Sequence, residues 1–261
     1  MTAFDPDGTA YLLEGAVGRP LVVLSHGVGM DLHMWSGQVE ALSERFQVLR
    51  YDMLGHGRTP GQPDANSIAS FSKQLFRLLE YLQADSVALV GFSMGGIVAQ
   101  HFALCHPRRL HRLVLMSTVY QRNAEELQGV RSRLELARKQ GLETIADAAI
   151  DRWFTPAYTD KHPHIVQAIH ERIRTNNLAG YLKAYEIFVH ADDAIGDGLR
   201  NVQCPSLVMT GELDSGSTPL MAERMAASMA RARHIILRGL GHMAPVESPN
   251  QVNQALLSFL L

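Results

Sequence analysis

Val87-Ala88-Leu89-Val90-Gly91-Phe92-Ser93-Met94-Gly95-Gly96 passes from an apolar run, through a turn of small residues, into a helix-like stretch, Ile97 to Cys105. The order is strand, sharp turn, helix, with a serine at the apex. A serine hydroxyl is a poor nucleophile unless it is held exposed and beside a base, and a strained strand-to-helix turn does the holding. The glycines leave room for the turn, and Gly95 and Gly96 let the helix lie close to the neighbouring strand. The G-x-S-x-G pentapeptide alone is a weak signal. The rest of the chain has to decide whether Ser93 is a nucleophile or a turn residue.

Around this stretch, short β-rich runs recur: Leu21 to Leu24, Phe46 to Tyr51, Leu113 to Met116, Leu207 to Met209 and His234 to Leu237. Each is nearly continuous rather than alternating, as expected for strands buried on both faces. Helix-like segments lie between them, such as Ile68 to Gln83, with Phe71, Leu75, Leu78, Leu79 and Leu82 on one stripe, and Gln251 to Leu260. Strands alternating with helices predict an α/β fold with a mostly parallel sheet covered on both sides. Thr9 to Glu14 fits an extra edge strand. The alternation stops between about 120 and 197, where Glu125–Gln140, Leu142–Trp153, His164–Arg174 and Leu178–Val189 all read as helix, punctuated by Pro156, Pro163 and Gly180. So long a stretch without a strand is too much for a crossover in a compact sheet. It is expected to be a helical lid, residues 121–197, inserted between core segments 1–120 and 198–261.

Composition agrees with a globular enzyme-sized domain. The 261 residues are 46% hydrophobic and 19% charged, with a net charge of -2 and no long run of one sign. That gives no reason to expect a nucleic-acid or membrane partner. The first residues lack the basic-then-apolar pattern of a signal peptide, so a cytoplasmic location is expected. The two cysteines, Cys105 and Cys204, are expected to be buried free thiols. The 12 histidines form no zinc-ligand spacing with cysteine.

In an open α/β sheet, ligands bind outside the carboxyl ends of the strands. Reading the residue after each strand run gives His26-Gly27-Val28-Gly29, then Asp52 with Gly55-His56-Gly57, then Ser93, then Gly211-Glu212-Leu213-Asp214, then Gly241-His242. A serine, an acid and a histidine thus fall on one edge, in the order Ser93, Asp214, His242. Glu212 is the competing acid.

These motifs resemble those of lid-bearing α/β-hydrolases over essentially the whole chain. More narrowly, Asp31-Leu32-His33-Met34-Trp35, Arg50-Tyr51-Asp52 and Gly57 are similar to the bacterial 3-oxoadipate enol-lactonases. Around the histidine the chain instead reads Gly241-His242-Met243-Ala244-Pro245-Val246-Glu247-Ser248-Pro249, the commoner pattern of general α/β-hydrolases. The resemblance implies a nucleophile Ser93, a base His242, an orienting Asp214, and an oxyanion hole from the backbone N–H groups of Val28 and Met94, with no metal or cofactor required. It implies hydrolysis of a small carboxylic ester or lactone through an acyl-enzyme. Carbon–carbon hydrolysis of a vinylogous diketone is the alternative, and Phe92 stands against it because those relatives tend to carry asparagine before the serine. A non-catalytic small-molecule receptor of the same fold is a third reading. Dehalogenation would need an aspartate at the elbow.

His26 is expected to brace the oxyanion loop, and Asp52 and His56 to organise the loop after their strand. His33, Trp35 and Trp153 are the candidate substrate-binding residues, and His33 and Trp35 could equally do no more than start a buried helix. A substrate carboxylate would call for an arginine from the insertion, where Arg122, Arg131, Arg133 and Arg152 lie, although most arginines there should be solvated. The acidic group Asp192, Asp193 and Asp197 is read as the insertion's polar return to the core.

Overall fold

The computed structural model describes all residues, 1–261. Eight strands form one sheet: β1 (Ala3–Phe4), β2 (Ala10–Glu14), β3 (Leu21–Ser25), β4 (Gln47–Tyr51), β5 (Val87–Phe92), β6 (Leu110–Met116), β7 (Ser206–Gly211) and β8 (Ala232–Leu237). Their order across the sheet is β1-β2-β4-β3-β5-β6-β7-β8. β2 pairs antiparallel with β1 and β4, and every other pairing is parallel. The chain therefore steps from β3 to β4 in one direction, then returns to place β5 on the other side of β3. That reversal opens a crevice at the carboxyl ends of β3 and β5, where the His26 loop and Ser93 begin.

The helices are α1 (Ser36–Ser43), α2 (Ile68–Tyr81), α3 (Met94–Cys105), α4 (Ala124–Trp153), α5 (Pro156–Lys161), α6 (Pro163–Arg174), α7 (Leu178–Val189), α8 (Ala191–Ile195), α9 (Pro219–Ala227), α10 (Ala244–Glu247) and α11 (Pro249–Leu260). The central strands β3 and β5 are buried almost end to end, as their unbroken apolar runs predict. β8 departs from that expectation. It is the far edge of the sheet, with Arg233 and His234 exposed. None of the helices is long and apolar enough to cross a membrane.

Helices α4 to α8 are inserted between β6 and β7, as the loss of strand signals predicts. Their starts follow local chemistry. Asn123 and Glu126 form a reciprocal capping box, Thr155 caps α5 with Pro156 in its first turn, and the Asn177 side chain caps α7. α4 is broken at Gly141, whose φ of 78° and ψ of -169° are open essentially to glycine alone. This is the boundary expected between two helices. Gly180, expected as a breaker, instead sits inside α7, where an added Cβ would come 2.9 Å from the Gly55 carbonyl oxygen.

The base of the insertion is closed by Arg122. Its buried guanidinium donates to Asp192 at 2.6 Å and to the Phe188 and Val189 carbonyls at 2.8 and 3.2 Å, and lies over the Phe188 ring. Asp197 accepts from Gln121 at 2.7 Å. The two ends of the insertion are thus tied together, and Asp192 and Asp197 are the acids that tie them; Asp193 is exposed. The cysteines correct the sequence reading: Cys105 is exposed, beside the His101 ring at 3.7 Å, and Cys204 is half-buried.

Candidate active site

Ser93 stands between β5 and α3 with φ 52° and ψ -116°, a conformation that costs a non-glycine residue of order 1–3 kcal/mol. The surroundings hold it there. Its N–H donates to the Met116 carbonyl at 2.9 Å, and its carbonyl accepts from the Thr118 hydroxyl at 2.7 Å. A Cβ on Gly95 would overlap the carbonyl oxygens of Ser25 and His26, and one on Gly91 would overlap the Gly95 carbonyl. These glycines are required by close backbone contact.

Asp214 lies in the turn after β7. Its Oδ1 accepts the N–H groups of Gly216 and Ser217, both at 2.9 Å. Its Oδ2 lies 2.7 Å from His242 Nδ1 and accepts from the Thr210 hydroxyl at 3.3 Å. Burial by itself would raise this carboxyl's pKa, but the His242 charge and these hydrogen bonds outweigh it and hold the pKa below the ordinary aspartate value. An anionic Asp214 takes the proton of Nδ1 as a hydrogen bond, which leaves Nε2 as the free ring nitrogen. Glu212, the competing acid, accepts instead from the exposed Gly239 N–H at 2.9 Å.

The His242 ring packs 5.0 Å from Phe92, the residue before Ser93, and 5.8 Å from Trp153 at the end of α4. Ser93 and His242 line one cavity at the carboxyl edge of the sheet. Val28 lines it as well. The backbone N–H groups of Val28 and Met94 are not used in any hydrogen bond within the protein. The Val28 loop is held by His26, whose Nε2 accepts the Met53 N–H at 2.9 Å, so Nδ1 carries the proton toward the Gly27 carbonyl at 2.8 Å. Burial lowers the pKa of this ring to about 4, and the neutral tautomer fits both bonds. His56 packs edge-on against His26 and is lowered to about 3, chiefly by burial and then by its histidine neighbour. Asp52 accepts the N–H groups of Leu32 at 2.8 Å and Arg58 at 2.9 Å, knitting two loops behind the crevice.

The substrate-binding candidates separate. Trp153 lines the cavity. Trp35 does not: it is fully buried and packs edge-on against Phe92 at 6.2 Å, so it supports the wall from behind. His33 is exposed on the 3-10 turn capped by Asp31, away from the cavity. The physical reason is the turn itself, which points one aromatic side chain into the core and the other out to solvent. Of the insertion's arginines, Arg133 and Arg152 line the cavity, Arg131 is exposed and Arg122 is spent on the clamp.

Tyr181, Tyr185 and Ser217 also line the cavity and had not been singled out. The two tyrosines are four apart on α7, a one-face spacing that was legible, but it does not say which face looks inward. Glu247 was also missed. Its two oxygens accept the N–H groups of Thr155 and Gly241, each at 2.6 Å, while Met243 N–H donates to the Trp153 carbonyl at 3.0 Å. The His242 loop and the end of α4 are therefore one hydrogen-bonded unit.

Comparison with known proteins agrees with this architecture. Residues 20–137 match the alpha/beta hydrolase fold family. The chain is 31% identical to the (E)-2-((N-methylformamido)methylene)succinate hydrolase of Acinetobacter baylyi, over 97% of this chain and 94% of the relative. It is 28% identical to 3-oxoadipate enol-lactonase 2 of the same organism, over 94% and 90% respectively. The crystal structure of the enol-lactonase from Burkholderia xenovorans LB400 superposes with a TM-score of 0.91 at 28% identity, covering 100% of this chain and 99% of that one. The resemblance read from the motifs is borne out, and the chain belongs to the α/β-hydrolase family.

Proposed function

We propose that the protein is a serine hydrolase that cleaves a small carboxylic ester or lactone through an acyl-enzyme. The reading is carried by the Asp214–His242 contact of 2.7 Å on the rim of the cavity that the strained Ser93 also lines. Ser93 Oγ attacks the acyl carbon while His242 Nε2 takes its proton. The carbonyl oxygen becomes an oxyanion and receives the unused N–H groups of Val28 and Met94. Collapse expels the leaving oxygen, which takes the proton back from His242. For a lactone that oxygen stays tethered to the acyl group. Water, deprotonated by the same ring, then attacks the ester to Ser93, and a second collapse releases the carboxylate and restores the serine. Asp214 keeps the ring in one tautomer and stabilises its charged form throughout.

The insertion, residues 121–197, serves as a lid that closes the acyl pocket, with Trp153 as a wall. The enol-lactonases among the relatives support the lactone side of this reading. The test is Ser93→Ala. It should lower kcat on short p-nitrophenyl esters by at least about 10⁴-fold and abolish labelling by a fluorophosphonate probe. Wild-type turnover by the folded variant would sink the proposal.

A further inference from the structure

One residue of the insertion reaches the backbone of the Val28 loop. Asn176 stands just past the end of α6. Its Nδ2 donates to the Gly29 carbonyl at 2.8 Å, and to the Arg172 and Ile173 carbonyls at 2.9 and 3.0 Å. Its Oδ1 accepts from Arg172 Nη2 at 3.1 Å. A guanidinium can only donate, so this bond fixes which end of the amide faces Gly29. Arg172 also reaches Asp31 Oδ2 at 3.4 Å, while Asp31 Oδ1 accepts the His33 N–H at 2.9 Å. α7 covers the same stretch: a Cβ on Gly29 would meet the Tyr181 ring at 3.1 Å.

The Gly29 carbonyl matters because of the peptide it belongs to. It shares one planar unit with the Met30 N–H, so fixing the oxygen also aims that N–H. The Met30 N–H donates to the Gly27 carbonyl at 3.2 Å and closes a four-residue turn, in which the third residue, Gly29, has a φ of 77°. The Gly27 carbonyl also accepts from His26 Nδ1 at 2.8 Å. Its own peptide unit carries the Val28 N–H, and in a trans peptide that N–H points opposite to the oxygen. Holding the Gly27 oxygen therefore sets the direction of the unused Val28 N–H.

We infer that Asn176 is a positioning residue: through two linked peptide units it holds the Val28 N–H at the angle that receives an oxyanion formed at Ser93. This rests on the serine-hydrolase reading for the oxyanion, but the tie itself can be tested apart from it. Asn176 is not among the residues that line the cavity, so it acts through the loop and not on the substrate. An N–H whose peptide rocks loses its grip on a charge that exists only in the transition state. Its loss therefore falls on kcat and leaves KM nearly untouched.

The experiment uses Asn176→Asp, which keeps the shape and the bond to Arg172 but has no N–H for Gly29. On short p-nitrophenyl esters it should lower kcat by roughly 10- to 100-fold at nearly constant KM, less than the complete removal of an oxyanion donor. Inhibition by an alkyl trifluoromethyl ketone, which forms a tetrahedral adduct with a serine, should weaken by a similar factor. Lys183→Ala is the control. Lys183 Nζ ties α7 to the Gln62 and Pro63 carbonyls, away from the Val28 loop, so its loss should leave kcat unchanged. An unchanged kcat in Asn176→Asp, or an equal fall in Lys183→Ala, would overturn the assignment. Hydrogen exchange of the Met30 amide reads the tie without any ester, and it should be faster in Asn176→Asp. Faster exchange, in a protein whose wild type cleaves no ester and escapes a fluorophosphonate, would keep the tie and remove the hydrolase reading. Ester cleavage at equal kcat in wild type and Asn176→Asp, with equal exchange, would do the reverse.

Discussion

The cavity has two walls, and they are held by different physics. The wall on the sheet's carboxyl edge is set by backbone contact. Gly95 lies against the Ser25 and His26 carbonyls with no room for a Cβ, and Asp214 and His242 hang from adjacent strand ends. The wall from the insertion is set by side chains. Arg122 and Asp192 tie its ends, Tyr185 holds Arg133, and the break at Gly141 has nothing within 4 Å. Both walls depend on glycine, but for opposite reasons: Gly95 for lack of space, Gly141 for its φ of 78° in open space. A wall built of backbone tolerates almost no change without moving Ser93. A wall built of side chains on helices can change its residues while the helices stay in place, which suits it to choosing a substrate.

The contrast can be broken most directly at Gly95. Gly95→Val should cost more than about 4 kcal/mol, because the side chain meets two backbone carbonyls that cannot retreat without unravelling the elbow. The measure is a urea titration, with expression yield as a first indication. A variant of near wild-type stability would mean that the elbow is far more pliable than its contacts imply.

Acid should act on the sheet wall next. His26 and His56 are buried neutral beside one another, with pKa values lowered from an ordinary 6.5 to about 4 and about 3. Between pH 6.5 and those values the unfolded chain binds more protons than the folded one, so stability falls as pH falls through that window. Asp214, also depressed, works in the same sense at lower pH, since its stabilising charge is lost as pH drops through its folded pKa. A loss of a few kcal/mol between pH 6.5 and 4.5 is expected in urea midpoints. A flat profile would show that the two rings take up protons without penalty and that the Val28 loop is looser than its hydrogen bonds suggest.

The smallest effect belongs to the insertion. Gly141→Ala should cost about 1–2 kcal/mol, from backbone strain alone. Hydrogen exchange should register it in α4 before β5. If protection instead fell equally in both, the two walls would be one cooperative unit.

How much could be read from the chain follows the same division. Unbroken apolar runs marked β3 and β5 because central parallel strands are buried on both faces. β8 was read the same way but proved half-exposed, because being an edge is a property of the sheet order and leaves little trace in one strand. The starts of α5 and α6 were legible from Pro156 and Pro163, since breakers act locally, and the break at Gly141 falls between the two helices read on either side of it, whereas Gly180, read as punctuation, lies inside α7. Trp35 and His33 were misplaced because a 3-10 turn sends neighbouring residues to opposite sides, and nothing in their spacing says which side is the cavity. Arg133 and Arg152 were in view among the four arginines singled out of the seven in the insertion. Only packing separated them from Arg122, which had found an aspartate seventy residues away, and from the exposed Arg131.

The sequence by itself determined the α/β architecture, the strand-turn-helix around Ser93 and the order Ser93, Asp214, His242, because local periodicity and turn chemistry specify elements and the residues at their ends. The tertiary structure alone decided that Asp214 rather than Glu212 meets His242, that Trp153 and not Trp35 faces the cavity, and that two arginines line it without a carboxylate in ion-pair contact. Those outcomes depend on which surfaces meet when distant helices pack over the sheet, and side-chain burial and pairing across such distances are not encoded in any local stretch of chain.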